Sequence, residues 1–262
     1  MKFLRASVKT LALIAFTLSV CALIVMVKFF LPASKKARWL DSLFRAWARG
    51  TALLLGIKIN LRGVPPRPPF FLVSNHLGYL DVVVLAACLD CVFIAKQDVA
   101  GWPVVGFLCR QVDTIFVNRA SRRDVVRVNS LIEKTLAAGR GVVLFAEGTS
   151  TAGAEVAPFN PSLLHSAAKM EFPVSYSALS YRVPMGETPA HLSVCWWGDM
   201  TFADHLFRLF QLSSIEATLS FGDEPIVQND RKLLARQLWR AVNEQFIPVI
   251  ELEETCSTQT GL

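Results

Sequence analysis

Apolar residues fall into three kinds of run along this chain, and each predicts a different element. The first is a 17-residue stretch without a charge, Leu11 to Val27, interrupted by Lys28 before Phe29–Leu31. That length sits at the lower edge of what crosses a hydrocarbon core as a helix. It allows a spanning helix, a helix lying along the interface, or a cleavable leader, although no clear small-x-small site follows. The second kind has helical spacing. Across Arg38–Leu55, Trp39, Leu40, Leu43, Phe44, Trp47 and Leu54 recur near helical intervals, with Arg38, Arg45 and Arg49 between them. Trp with Arg on such a stripe suits a membrane interface, and the stripe equally suits an ordinary core-facing helix.

The third kind is short and bounded by polar turns. Phe70–Ser74, Val92–Ala95, Ile115–Val117, Val142–Phe145, Val174–Leu179, His191–Trp196 and Ala217–Phe221 all read as buried strands. Helical patterns alternate with them. After Ser121, Val125, Val128, Ile132 and Leu136 share one side, and Gly139 closes the helix; Arg231–Phe246 is a second. Strands alternating with helices predict an α/β domain with a largely parallel or mixed central sheet flanked by helices. An N-terminal helical membrane anchor precedes it. The boundaries are 1–62 for the anchor, 63–250 for the body and 251–262 for a polar tail. Val64-Pro-Pro-Arg-Pro-Pro69 is a rigid connector after the anchor.

Composition agrees with a membrane-attached globular protein. Of 262 residues, 53% are hydrophobic and 18% charged, and mean hydropathy is +0.41. Soluble domains average about 45–50% apolar and about 25% charged residues, so disorder and an ordinary highly charged surface are both excluded. The net charge of +6 is unevenly placed. Residues 1–62 carry eleven Lys and Arg against one acid, Asp41, whereas the rest carries 16 basic and 20 acidic residues. A basic head interleaved with apolar residues matches an anionic lipid surface better than nucleic acid. The six cysteines lack metal-site spacing, and Cys88-x-x-Cys91 has no second pair, so they read as free thiols in a reducing compartment.

Three strand ends carry candidate chemistry. In Phe71-Leu-Val-Ser-Asn-His-Leu-Gly-Tyr-Leu-Asp81, His76 and Asp81 lie five positions apart. On one continuous helix they would not meet. With His76 in the turn and Asp81 in the first helical turn, the carboxylate reaches the imidazole and fixes its tautomer. The alternative is a capping Asp beside a turn His. In Val142-Val-Leu-Phe-Ala-Glu-Gly-Thr-Ser-Thr151, a strand empties into a small polar turn, either a ligand site at a strand's carboxyl end or a plain turn. In Asp113-Thr-Ile-Phe-Val-Asn-Arg119, the guanidinium directly after a strand suits an anion. Arg122, Arg123 and Arg127 read as a solvated helix face. His165, His191 and His205 have no partner at metal-ligand spacing and read as structural, and no metal site is expected. No Gly-x-Ser-x-Gly elbow supports a serine hydrolase.

The order NHxxxxD, a strand ending in Asn-Arg, Phe-x-Glu-Gly-Thr and then Pro173-Val-Ser-Tyr resembles the glycerolipid acyltransferase family of the PlsC-like, 1-acylglycerol-3-phosphate acyltransferase type. The resemblance covers about residues 70–180. It implies transfer of a fatty acyl group from acyl-CoA or acyl carrier protein to a lysolipid hydroxyl, with no other cofactor. It implies His76 as general base and Asp81 as its partner. Lys96, Arg119, Glu147, Gly148 and Thr149 would belong to acceptor binding. It also implies residence at the inner (cytoplasmic) membrane, with the catalytic domain facing the cytoplasm. The acceptor expected first is 1-acylglycerol-3-phosphate, giving phosphatidate. Phosphatidate-forming members usually read Glu-Gly-Thr-Arg, however, and Ser150 stands where that Arg would be. One phosphate-binding cation is missing, which makes a lyso-ornithine lipid or another lysolipid the alternative acceptor. A lipid-binding module without catalysis is the remaining alternative, and the joint presence of His76, Asp81, Arg119 and Glu147 argues against it.

Overall fold

The computed structural model describes residues 1–250; the polar tail 251–262 and the side chains of Ala33, Ser34, Ala37 and Arg38 lie outside the described residues. Two helices open the chain, α1 (Lys2–Phe30) and α2 (Ala33–Leu55), packed against each other as a hairpin. Gly50 makes the close approach possible, because a Cβ there would fall 2.3 Å from the Phe16 ring. Trp47 Nε1 donates to Thr17 Oγ1 at 3.1 Å across the same seam. Gly56 ends α2 in the left-handed region, where its N–H reaches the carbonyls of Ala52 and Leu53.

The body is a seven-stranded sheet in the order β1-β7-β6-β2-β5-β3-β4. Its strands are β1 (Ile57–Arg62), β2 (Phe71–Ser74), β3 (Cys91–Lys96), β4 (Ile115–Val117), β5 (Gly141–Phe145), β6 (Val174–Arg182) and β7 (Ile215–Phe221). Strands β2 to β6 run parallel, β7 is antiparallel to β6, and β1 runs parallel to β7. The carboxyl ends of β2, β5, β3 and β4 therefore share one edge. One face of the sheet packs on α2, α3 (Leu80–Cys88) and the chain around Val194 and Leu209. The other packs on α5 (Arg122–Ala137), which follows α4 (Val105–Gln111) along the chain, on Leu163, Leu164 and α6 (His165–Met170), and on α9 (Arg231–Gln245). β2 and β5 are buried along their whole lengths. Burial on both faces explains their unbroken apolar sequences.

Two features depart from the pattern-based expectation. Ile57–Arg62 is a strand of the sheet, whereas the sequence boundary at 62 puts it in the anchor. Its alternation of Ile57, Ile59 and Leu61 with Lys58, Asn60 and Arg62 is the period of an edge strand. Conversely, His191–Trp196 is not a strand. A short helix, α7 (Ala190–Ser193), occupies its start. Pro189 initiates that turn: its carbonyl accepts from Leu192 and Ser193 N–H, and Ser193 Oγ donates to the carbonyls of Thr188 and Pro189. An apolar run following a proline is thereby turned into a helical corner.

The basic start of α1 is docked on the body. Lys9 Nζ donates to the carbonyls of Leu55 and Leu212, both at 2.8 Å. These carbonyls lie at the carboxyl ends of α2 and of α8 (Phe202–Gln211), where a cation is favoured by the helix dipoles. Arg5 reaches Glu187 at 3.2 Å and the Gln211 carbonyl at 2.9 Å, and Lys2 lies 3.5 Å from Glu187. Meanwhile Phe3, Leu4, Val8, Leu11, Ile14 and Leu18 remain exposed along α1. Lys9→Met should therefore remove two charge-assisted bonds and destabilise the protein by about 1.5–3 kcal/mol. The check is a denaturant titration in detergent; an unchanged midpoint would show that the contact contributes nothing.

Candidate active site

The loop after β2 begins with a residue that continues the sheet through its side chain. Asn75 is buried, its Nδ2 donating to the Leu179 carbonyl at 2.9 Å and its Oδ1 accepting from Leu179 N–H at 2.7 Å. That pair ties the loop to β6 before His76 emerges. Of the two arrangements that the spacing allows, His76 and Asp81 adopt the one in which they meet. Asp81 lies in the first turn of α3, and its Oδ2 is 2.7 Å from His76 Nδ1.

The Asp81 carboxyl is fully buried, whereas the His76 side chain is 22% exposed. Oδ2 also accepts from Leu77 N–H at 2.6 Å and Gly78 N–H at 3.0 Å, and Oδ1 accepts from Tyr181 Oη at 2.8 Å. A carboxylate surrounded by donors accepts only. Nδ1 therefore carries the imidazole proton, and Nε2 presents its lone pair outward. Phe145, the last residue of β5, stacks on the imidazole with centroids 4.2 Å apart and planes 18° from parallel. The ring is thus held at one nitrogen and on one face.

Glu147 lies two residues beyond β5. Its Oε1 accepts from His76 N–H at 2.5 Å and its Oε2 from Ala157 N–H at 2.8 Å. Both oxygens are engaged with backbone, so Glu147 holds the His76 loop against the segment around Ala157. Burial pushes its carboxyl up to about 7, against the two N–H bonds that lower it. The His76 carbonyl in turn accepts from Thr151 N–H at 3.0 Å, and the Leu77 carbonyl accepts from Trp196 N–H at 2.8 Å.

Arg119 lies two residues beyond β4 and reaches across to the turn after β5. Gly148 has φ +85°, and a Cβ there would lie 2.1 Å from Arg119 Nη1. Glycine at 148 is needed both for the backbone conformation and for the guanidinium. Lys96 ends β3, pairs in register with Val117, and is exposed. Thr149 is exposed in the turn. Neither makes a hydrogen bond to the dyad. Ser150 Oγ donates to the Trp196 carbonyl. Trp196 belongs to an aromatic cluster with Tyr79, Trp102 and Phe202 beside the His76 loop.

Of the residues singled out from sequence, the structure joins His76, Asp81 and Glu147 directly and Arg119 with Gly148. Asn75, Phe145 and Tyr181 carry structural roles in the site that spacing did not assign. Asn75 was legible only as part of its motif, and Tyr181 is 100 positions from Asp81. Among the described residues, no group of three or more His, Cys, Asp and Glu stands close enough to hold a metal ion.

A mostly parallel sheet of this order, with its loops gathered at one carboxyl edge, has counterparts among known proteins. The family model described as Acyltransferase matches residues 58–179, the segment from β1 into β6 that builds the site. The chain is 31% identical over 249 residues to the lyso-ornithine lipid O-acyltransferase of Pseudomonas aeruginosa, covering 92% of each chain. It is 32% identical over 171 residues to the 1-acyl-sn-glycerol-3-phosphate acyltransferase of Neisseria gonorrhoeae, covering 65% of this chain and 66% of that one. The crystal structure of the 1-acyl-sn-glycerophosphate (LPA) acyltransferase PlsC from Thermotoga maritima shares the fold. Its TM-score is 0.66 at 18% identity, over 93% of this chain and 97% of that one. Sequence and fold together define an acyltransferase. The chain belongs to the PlsC-type acyltransferase family.

The Glu147 clamp generates a two-part prediction. In Glu147→Gln, one end of the amide must face an N–H with its own NH2, leaving a backbone donor unpaired at a cost of about 1–3 kcal/mol. Turnover should fall about 10- to 100-fold at an equivalent loss of His76 positioning. The folded state binds the Glu147 proton more tightly than the unfolded chain does, because the ordinary value is 4.5. Its stabilising contribution is therefore full below about 4.5 and lost as pH rises to about 7. The variant should lose that dependence. Thermal unfolding at pH 5 and pH 7.5 reads it, and an identical pH dependence in both proteins would refute the assignment.

Proposed function

We propose that this protein transfers a fatty acyl group from a thioester donor, acyl-CoA or acyl carrier protein, to the free hydroxyl of a lysolipid at a membrane surface. The observation that carries the reading is the His76 imidazole, held through Nδ1 by a buried carboxylate with Nε2 outward. In the proposed reaction Nε2 takes the proton of the acceptor hydroxyl as its oxygen bonds to the thioester carbonyl carbon. The tetrahedral oxyanion collapses, the C–S bond breaks, and the thiolate leaves with the proton returned from the imidazolium. A thiol of ordinary pKa near 8.5 needs little acid assistance to depart. Asp81 stabilises the transient imidazolium.

The acceptor we propose first is a lyso-ornithine lipid, with 1-acylglycerol-3-phosphate second. This reverses the order that the motif comparison gives. Two observations support it. Ser150 stands in the turn where phosphatidate-forming relatives usually carry an arginine, and its hydroxyl is engaged by the Trp196 carbonyl. A phosphomonoester brings up to two negative charges, whereas an ornithine joined through one amine keeps one carboxylate and one ammonium. Arg119 alone over the Gly148 turn suits the single carboxylate. The relative matched along nearly its whole length also carries the ornithine-lipid name. The exposed apolar side of α1 supports attachment at the bilayer where such acceptors reside. We place the body on the cytoplasmic side of the inner membrane, consistent with the five described cysteines being free thiols.

The test is a matrix of donors and lysolipid acceptors with the purified protein. The expected result is a kcat/KM for lyso-ornithine lipid at least about tenfold above that for 1-acylglycerol-3-phosphate, a preference that one charge-assisted bond supplies. The reverse order would overturn the acceptor assignment, and Ser150→Arg should narrow the gap. His76→Ala should lower turnover about 100- to 10,000-fold without changing the circular dichroism spectrum. Wild-type turnover by that variant would end the general-base reading.

A further inference from the structure

Tyr181 lies near the end of β6 and is 1% exposed. Its hydroxyl donates to Asp81 Oδ1 at 2.8 Å. The three other donors to this carboxylate, from His76, Leu77 and Gly78, all converge on Oδ2. The two oxygens thus have separate duties: one faces the imidazole and the loop that carries it, the other faces β6. Burial, with the negative charge of Asp81 beside it, holds the Tyr181 hydroxyl well above its ordinary value. It stays protonated and donating. The other titratable groups around the carboxylate are Glu147 beyond β5 and the buried Cys195 thiol beyond α7. The nearby His205 is tied to the Tyr79 hydroxyl at 2.8 Å.

We propose that Tyr181 is a positioning residue that tempers the base strength of His76 by hydrogen bonding to the far oxygen of Asp81. The charge of a carboxylate is shared between its oxygens, and a donor on one reduces what the other offers. With Tyr181 in place, Oδ2 draws less strongly on Nδ1–H, and the imidazolium formed during turnover releases its proton more readily. Without it, the same carboxylate stays buried with more charge on Oδ2, and His76 keeps a captured proton to higher pH.

Tyr181→Phe keeps the ring and removes only the donor. The acidic limb of the kcat/KM–pH profile should move upward by about half a unit to one unit, the part of one hydrogen bond to a charged group that passes from one carboxylate oxygen to the other. At pH 6 the rate should then fall about 3- to 10-fold, with most of it recovered at pH 8.5. A residue that merely packs would lower the rate by one factor at every pH. A second readout needs no substrate: NMR titration of the His76 imidazole in the full chain in micelles, assigned by comparison with His76→Asn, should shift in the same direction. Replacing Tyr181 by 3-fluorotyrosine, a stronger donor of nearly the same shape, should shift both readouts the opposite way. The kinetic arm rests on the acyl-transfer reading, and the NMR arm does not. A His76 titration unmoved in both variants overturns the proposal. A moved titration in a protein inactive toward every donor–acceptor pair supports it and overturns the acyl-transfer reading instead.

Discussion

A carboxylate taken wholly out of water is the constraint around which this molecule is arranged. Removing such a charge from solvent costs several kcal/mol unless donors replace the lost hydration. Asp81 has four donors: the His76 ring, two backbone N–H groups of its own loop, and a tyrosine from a neighbouring strand. Three of the four fix the loop that bears the base. The requirement of burying the acid and the requirement of aiming the imidazole are therefore met by one set of bonds. Breaking any of them leaves a charge under-compensated in a dry interior, which is why the local geometry has little freedom.

The same economy extends along the carboxyl edge of the sheet. Glu147 grips the His76 amide from the next strand, and Phe145 from that strand supports the ring. Gly148 then clears the space that Arg119 occupies. Parallel neighbours β2 and β5 put both loops on the same edge without any connection crossing the site. Glu147 acts on the backbone, which separates its contribution from that of Arg119: on the proposed reading, one residue stabilises the position of the base and the other supplies positive charge to an incoming anion.

Much of this was legible in the residues, and the limits have physical causes. The dyad was readable because its parts lie within one loop and one helical turn, where spacing determines reach. The buried parallel strands were readable because burial on both faces leaves continuous apolar runs. Ile57–Arg62 escaped because a half-exposed edge strand following an amphipathic helix carries Lys and Arg like its predecessor. His191–Trp196 misled because an apolar run does not say whether a preceding proline will start a helical turn. Tyr181 and the backbone role of Glu147 depend on contacts across strands, which no local pattern encodes. The resemblance implies a place for Glu147 at the acceptor, and the bonds of its two oxygens to the His76 and Ala157 amides are a further feature that no local pattern encodes.

Strand direction links the anchor to the chemistry. β7 runs antiparallel to β6, and β1 runs with β7, so Ile57 and Ile215 lie at the edge where β6 ends. That is also the edge where β2, β5, β3 and β4 end. Leu55 and Leu212, the carbonyls that hold Lys9, adjoin those residues. The basic start of α1 is therefore pinned at this edge, while the rest of the helix keeps an apolar outer side. On the proposed reading, a lysolipid held in the bilayer by its chain presents its hydroxyl close to where the protein itself is attached. On the same reading, the charges at the head of α1 do more than attract anionic lipid: by binding the carboxyl ends of α2 and α8 they fix the anchor helix to the body, and with it the height at which His76 would meet the membrane surface.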